Sequence, residues 1–515
     1  MRRWVTVSIL TVTAVAAALL VLRSAERNLG YSPDSVSYFT MAEGIHSGQG
    51  FVDVRRYSTP AKPIYPPGYP ILLAAAGFVA GGDIMAAAPG LHAVLFALFA
   101  GLFAWAVGRA GHSHWLMATA ALLALASGDL IKLFNKVWSE TAFVVACMLF
   151  IVALARALAD PEKAKAVGAA ALFAGLAMLI RYPGVAAVAG GGLALLAQPG
   201  VAWGRKLRRA TLFGVIGGLP LLLWLLRNLA VFGRPYLGTD RAPSGFAFSS
   251  QNLALGAETL RRWTGSPEGI FLALLAVLLL GIALASGRGE APAERPFRAR
   301  HLVTAAAAFA LPYVAIMLAG TYRYGLHKPL DTRALAPLFA PLLWPLLLPG
   351  CAAARAARDR LPQFRFRRQL GAAVCALAWL ALVAFAGRSA YLGSDPAKTF
   401  GILQKHPRAV VEAFKDIEPT GTVFTNIDDY LYLLTGKSCL RLPQVYSLDS
   451  RDIRLPDYDE KMEALDSELG DAGMIVFYSP SRRHYLPSEE ELLGRLPLEV
   501  VERTSDGTIY RIDRP

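Results

Sequence analysis

One carboxylate stands out near the start of the chain. Asp34 lies in "YSPDSVSYFTMAEGIHSGQGF" (Tyr31–Phe51), just after the first long apolar stretch. A lone loop aspartate is ordinarily only solvated, but its neighbours argue for more. Tyr31, Tyr38 and Phe39 are aromatics of the kind found at membrane interfaces. "SPDS" reads as a helix start capped by Ser32 or Asp34. Together they would hold a carboxylate at a helix N-terminus, close to the membrane surface, where acid–base chemistry needs such a group.

Further along, "KPIYPPGYP" (Lys62–Pro70) packs four prolines into nine residues. Such a loop is stiff, and either simply connects or brings Lys62 to an anion with Tyr65 and Tyr69 lining a groove. Glu140, in "KVWSETAF", sits where an apolar span begins. Placing a carboxylate inside a membrane helix costs roughly 2–3 kcal/mol. Glu140 therefore either snorkels or serves as a second acid facing an outer cavity. Asp129 is a weaker candidate, with Lys132 as its partner. Arg181, Arg227, Arg323, His327, Lys328 and Arg333 fall at the same ends of spans as Asp34. Each alone reads as a helix-end residue. As a group beside carboxylates they suit an anionic ligand, because arginine presents a planar fork to phosphate oxygens. Asp331 is placed to hold Arg333.

These residues must be positioned by a membrane-embedded scaffold. The 515 residues are 55% hydrophobic and 17% charged, a balance that fits a polytopic membrane protein. Apolar segments predict eleven spans near 4–22, 84–108, 115–134, 138–158, 166–181, 183–198, 210–230, 268–286, 301–320, 333–350 and 369–387, each to be judged against about 20 residues per crossing. The first reads as an uncleaved anchor, since no small-x-small cleavage pattern follows it. The run Ile71–Ala80 is too short to span and reads as re-entrant or interfacial. Proline and glycine in Arg181-Tyr182-Pro183-Gly184 predict a break.

The net charge of +14 divides unevenly. From Tyr391 onward there are 22 acidic and 15 basic residues, and the remainder carries 16 acidic and 37 basic. The basic clusters lie in short loops between spans, which argues against nucleic acid as a partner and for cytoplasmic loops. That pattern places the N-terminus inside, and the loops 23–68 and 231–267 and the acidic tail outside. The expected location is the plasma (inner) membrane, and the Ala/Arg/Gly-rich composition fits a high-GC bacterial genome. The four cysteines show neither a disulfide framework nor metal-ligand spacing.

The tail reads as a small α/β domain. Gly421–Asn426 and Gly473–Tyr478 look like buried strands, and Asp428–Gly436 like a helix with a glycine stop. Ser488 opens a Ser-x-x-Glu capping box. Asp506-Gly507 joins two strands in a hairpin.

In order along the chain come Asp34, Lys62-Pro63 with "YPPGYP", "SET" (139–141), "RYPG" (181–184), "RN" (227–228) and "DTRALAP" (331–337). With many spans and an outer tail, this series resembles the GT-C superfamily of membrane glycosyltransferases. It looks most like the branch of protein O-mannosyltransferases and lipid A aminoarabinose transferases. The resemblance covers roughly residues 1–390, as a transmembrane transferase domain with a catalytic first outer loop 23–68. Residues 391–515 are expected to form a separate extracytoplasmic α/β domain. The resemblance implies a polyprenyl-phosphate sugar donor and an extracytoplasmic acceptor, whether lipid, glycan or protein. It gives Asp34 the role of catalytic acid-base residue, Lys62 a place near the donor phosphate, and Glu140 that of second acid. Its first-loop motif often has two adjacent acids, whereas Ser35 follows Asp34 here. The residues assign no cofactor, and a divalent cation is left open. The rival classes are a transporter or lipid flippase, or a non-catalytic assembly protein. Against the former, the chain has no internal repeat and its charges gather at one face.

Overall fold

The structure is a computed structural model that describes residues 3–26, 29–60, 65–235, 254, 257–259, 263, 299–324, 331–345, 347–348, 366–396, 408–446, 454–481 and 483–513. Among these, six helices are long and apolar enough to cross a membrane, or seven if one bent pair is a single span. The predicted span 268–286 and the greater part of the loop 231–267 lie outside the described residues, as does Cys351.

The chain opens with α1 (Arg3–Ser24), α2 (Pro33–His46), α3 (Gly68–Val79) and α4 (Ile84–Gly111). The predicted span 115–134 is not straight. It divides into α5 (His114–Ala126) and α6 (Gly128–Phe134), bent by 65°. The cause is local: Ser127 leaves the helix and its hydroxyl accepts from Leu130 N, starting α6 anew. Next come α7 (Ser139–Ala159), α8 (Ala164–Ile180), α9 (Val185–Leu196) and α10 (Trp203–Phe232). The expected break falls between α8 and α9, where Tyr182–Gly184 forms a 3-10 turn. Both flanking helices are shorter than 18 residues. The remaining membrane elements are α11 (Ala299–Tyr324), the one-turn α12 (Thr332–Leu335) and α13 (Arg367–Gly393). The predicted span 333–350 thus begins as a turn of α-helix followed by a 3-10 turn at Ala336–Leu338, carrying Pro337.

The short run at Ile71 is α3, which packs against α2, α4 and α8. Glycine is required at its start. A Cβ on Gly68 would stand 2.7 Å from the Leu179 carbonyl oxygen, so "PPGYP" is held tightly on the end of α8.

The tail holds α14 (Ala409–Lys415), β3 (Val423–Thr425), α15 (Asp428–Thr435), β4 (Leu440–Arg441), α16 (Tyr458–Leu469), β5 (Met474–Tyr478), α17 (Glu489–Arg495), β6 (Leu498–Arg503) and β7 (Gly507–Ile512). A two-residue ribbon, β1 (Val52–Asp53) with β2 (Thr59–Pro60), lies earlier, in the first loop. The tail sheet has the order β4-β3-β5-β7-β6. Strands β3, β4 and β5 are parallel, while β6 and β7 form the antiparallel hairpin read from Asp506-Gly507. Gly436 ends α15 in the left-handed conformation, and Ser488 caps α17 by accepting from Glu491 N. Side chains alternate across the sheet. Val423, Met474, Val476 and Ile509 belong to the large core shared with the membrane helices. Phe424, Ile475, Phe477 and Tyr510 build a second core with α16 and α17. The tail is therefore packed onto the membrane part rather than tethered to it.

Candidate active site

Asp34 occupies the first turn of α2. Ser32 is the cap: its hydroxyl accepts from Ser35 N at 3.3 Å, and Ser35 Oγ accepts from Ser32 N at 2.9 Å. Pro33 supplies the preset φ of the first helical position. A carboxylate here faces the positive end of the helix dipole.

Arg333 Nη2 donates to Asp34 Oδ2 at 2.7 Å, and Tyr65 OH donates to Asp34 Oδ1 at 3.0 Å. The same Arg333 pairs through Nε with Glu140, which also pairs with Arg181. Arg181 Nη1 donates to Ser139 Oγ at 3.1 Å, which lies 3.0 Å from Tyr38 OH. Trp138 completes the frame. Its indole donates to Ser32 Oγ at 2.8 Å, and the Arg333 guanidinium lies 4.4 Å from its ring centroid. Two carboxylates and two guanidiniums thus form one continuous network. Burial pushes the Asp34 carboxyl up, but Arg333 by charge and hydrogen bond, with Tyr65 and Arg181, outweighs it and holds Asp34 below the usual carboxylate range. Burial and the Asp34 charge push the Tyr65 phenol well up, so it stays a neutral donor.

A cavity of 150 Å³ opens on this network, lined by Asp34, Tyr38, Tyr65, Arg181, Tyr182 and Arg333, with Pro66 and Pro183. About a third of the Asp34 side chain, 33%, is accessible there, whereas Glu140 is 1% exposed and does not line the cavity. Glu140 therefore acts on the cavity through the two arginines it holds, not as an acid facing it.

Other expectations are corrected. Asp331 does not hold Arg333; it caps α12, accepting from Ala334 N at 2.8 Å. Asp129 accepts from Thr332 Oγ1 at 3.3 Å. Arg227 does not line the cavity: it donates to the Phe51 carbonyl and to Asn228 Oδ1, both at 3.1 Å, and lies against Trp224. Tyr31, Tyr38 and Phe39 are buried core residues rather than an interfacial belt. Tyr38 stacks edge-on against Tyr65 and Tyr69. Lys62, His327 and Lys328 lie outside the described residues, as does the side chain of Arg323, on the last turn of α11.

Among the described residues no three His, Cys, Asp or Glu side chains converge as metal ligands. Asp34 at the cavity and Glu140 behind it are already met by guanidiniums, so this donor set does not fit a divalent cation.

A second network joins the first loop to the tail and escaped the sequence reading. Arg55 pairs with Asp53 at 3.0 Å, with Asp428 at 3.2 Å, and with Asp429. Arg441 and Arg483 reach the same two tail aspartates, at 2.7 Å and 3.0 Å to Asp428 and at 3.4 Å and 2.6 Å to Asp429. Arg55 also donates to Ser37 of α2 at 3.4 Å, and Tyr432 OH donates to Glu43 of α2 at 2.6 Å. Backbone bonds reinforce the contact, Cys439 N to the Arg55 carbonyl at 2.7 Å and Val423 N to Tyr57 OH at 2.8 Å. The only advance signal was the acidic pair "DD" at 428–429, which reads locally as a helix N-terminus.

No protein-family model matches the sequence, and no curated protein matches it. Solved structures do. ArnT from Cupriavidus metallidurans bound to undecaprenyl phosphate aligns with a TM-score of 0.57 at 15% identity, over 97% of each chain. The arabinofuranosyltransferase AftD from Mycobacteria aligns at 0.53 and 15% identity, over 100% of this chain and 40% of that one. The oligosaccharyltransferase AglB from Archaeoglobus fulgidus, in complex with an inhibitory peptide and a dolichol-phosphate, aligns at 0.50 and 13%, over 93% of this chain and 69% of that one. At such identities the likeness is one of fold, and it favours no single one of the three: the chain is a polytopic membrane protein that shares the fold of these structures.

Proposed function

We propose that this protein transfers a sugar from a polyprenyl-phosphate donor to a hydroxyl of an acceptor on the outer side of the membrane, with the tail on that side. The observation that carries this reading is the convergence of Asp34, Arg333 and Tyr65 on one cavity in this fold. The fold shared with ArnT bound to undecaprenyl phosphate supports the donor class.

The chemistry accounts for the residues. A glycosidase normally needs a second carboxyl group to protonate its leaving oxygen. A lipid phosphate leaves as a stable anion and needs only cations. In the proposed step the acceptor oxygen bonds to the anomeric carbon from the face opposite the phosphate. The bond from that carbon to the phosphate oxygen breaks, its electron pair leaving on the lipid phosphate, and the configuration inverts. The acceptor proton passes to Asp34. Arg333 and Arg181 stabilise the developing phosphate charge, and Lys62, Arg323, His327 and Lys328 complete the cationic surround. Glu140 orients both arginines.

The depressed Asp34 carboxyl has a mechanistic meaning. With Arg333 bound to it, Asp34 is a weak base. A donor phosphate that draws Arg333 away removes the largest influence lowering its pKa, so donor binding would switch the base on. Incubation of purified protein with radiolabelled polyprenyl-phosphate sugars and membrane extract, with mass spectrometry of surface glycolipids and glycans from cells with and without the protein, tests the reading. The loss of one glycoform in the deficient cells is the expected result. An unchanged glycan profile together with no donor turnover overturns it.

A further inference from the structure

A groove of 660 Å³ runs between α1, α4, α7 and α8, away from the Asp34 cavity. Its walls are apolar, among them Leu98, Leu149 and Phe173, and its floor is kept open by small residues. A Cβ built on Gly101 meets nothing within 4 Å. Two cations, Arg156 and Lys165, close one end. Both are exposed, and Arg156 lies 5.0 Å from the Trp105 ring centroid. The carboxylates nearby are engaged elsewhere: Asp160 with Lys163 at 3.2 Å, and Glu162 with Arg205. Among the described residues neither Arg156 nor Lys165 pairs with a carboxylate. Arg109 adds a further positive charge beside Arg156.

Depth decides what such a groove takes. Glu140 and Arg156 stand at opposite ends of α7, sixteen residues apart, so about 24 Å separates them along the axis. The cationic end therefore faces the leaflet opposite the Asp34 cavity. A donor with its phosphate on Arg156 would hold its sugar a membrane thickness from Asp34. An acyl chain gains little by leaving hydrocarbon for an apolar groove, so selection must come from the headgroup. We infer that this groove is a binding site for an anionic phospholipid of the opposite leaflet, with its phosphate on Arg156 and Lys165 and one acyl chain between α4, α7 and α8. Each cation contributes about five-fold in affinity for an anionic headgroup.

The inference is tested on the full-length protein, delipidated in detergent and titrated with phosphatidylglycerol or phosphatidylcholine under native mass spectrometry. Wild type should prefer phosphatidylglycerol by about 25-fold. R156Q/K165Q should lose that preference with an unchanged melting temperature, and R156K should keep it. G101L, which fills the groove, should weaken both lipids. Equal binding of the two lipids by wild type, or undiminished preference in R156Q/K165Q, overturns the assignment. So does polyprenyl phosphate as the molecule retained on Arg156 and Lys165. None of these readouts depends on sugar transfer.

Discussion

Two arginine–carboxylate networks meet at the first loop, and they differ in one respect. The Asp34–Glu140–Arg181–Arg333 network opens on a cavity through Asp34 and Arg333. The Arg55–Asp428–Asp429 network is sealed, with Asp428 and Asp429 at 0% and 1% exposure. Each places arginines against carboxylates in near balance. In the sealed network three aspartates meet three arginines, with Arg56 at the edge, 3.8 Å from Asp428. Such a network adds little over apolar packing, but removing one member is costly and its geometry fixes how two parts dock. In the open network the proposed mechanism has an incoming phosphate take Arg333 from Asp34. Accessibility of the carboxylates, rather than composition, separates the two networks.

The joint occupies a telling position. In the tail β3 lies between β4 and β5, so the connection β3 to β4 runs one way and the connection β4 to β5 crosses back past β3. The crevice at the carboxyl ends of strands at such a switch point is where open α/β sheets usually take ligands. Here the loop's own Arg55 fills it, one turn of contact away from Asp34 through Ser37.

The largest effect should come from the open network. Asp34→Asn should lower the transfer rate by about 10²–10⁴-fold in protein that remains folded. A near wild-type rate would remove Asp34 from the base role. Arg55→Met should act in the reverse sense, costing about 3 kcal/mol of stability. Hydrogen exchange should show residues 29–60 and α15 losing protection together; unchanged protection there would end the distinction between joint and site.

Acid should loosen the joint. Burial pushes the Asp428 carboxyl up, but Arg441, Arg55 and Arg483 hold it well below the usual range. A carboxyl lowered on folding stabilises above its unfolded value, about 3.9, and that stability is lost progressively as pH falls towards the folded value. Tail docking, followed by intrinsic fluorescence, should therefore be flat from neutral pH to about 5 and weaken below about 4. A midpoint near neutrality would contradict this. The smallest effect should be that of Tyr65→Phe, which removes one hydrogen bond to Asp34. A loss of about tenfold in kcat/KM is expected. Because that bond lowers the Asp34 pKa, the acid limb of the pH–rate profile should move upward, and a downward shift would contradict the assignment.

Much of the scaffold was legible from local rules. The apolar runs at 84–108 and 138–158, the break at Arg181–Gly184, the Gly436 stop, the Ser488 cap and the Asp506-Gly507 hairpin each depend on neighbours a few residues away. Where a local rule met a competing one, it failed: Ser127 broke an apolar run of sufficient length because its side chain caps the next helix.

By itself, then, the sequence determined which segments are apolar enough for a membrane, where helices and strands begin and stop, and that Asp34 sits on a helix N-terminus. Only the tertiary structure decided which cation meets which carboxylate. Arg333 reaches Asp34 across 299 residues and Arg55 reaches Asp429 across 374, whereas Arg227, equally suited by type, is held on Phe51. Charge type and spacing specify what a side chain can bind, but its partner is set by helix packing and sheet docking, which bring distant segments together through the apolar core.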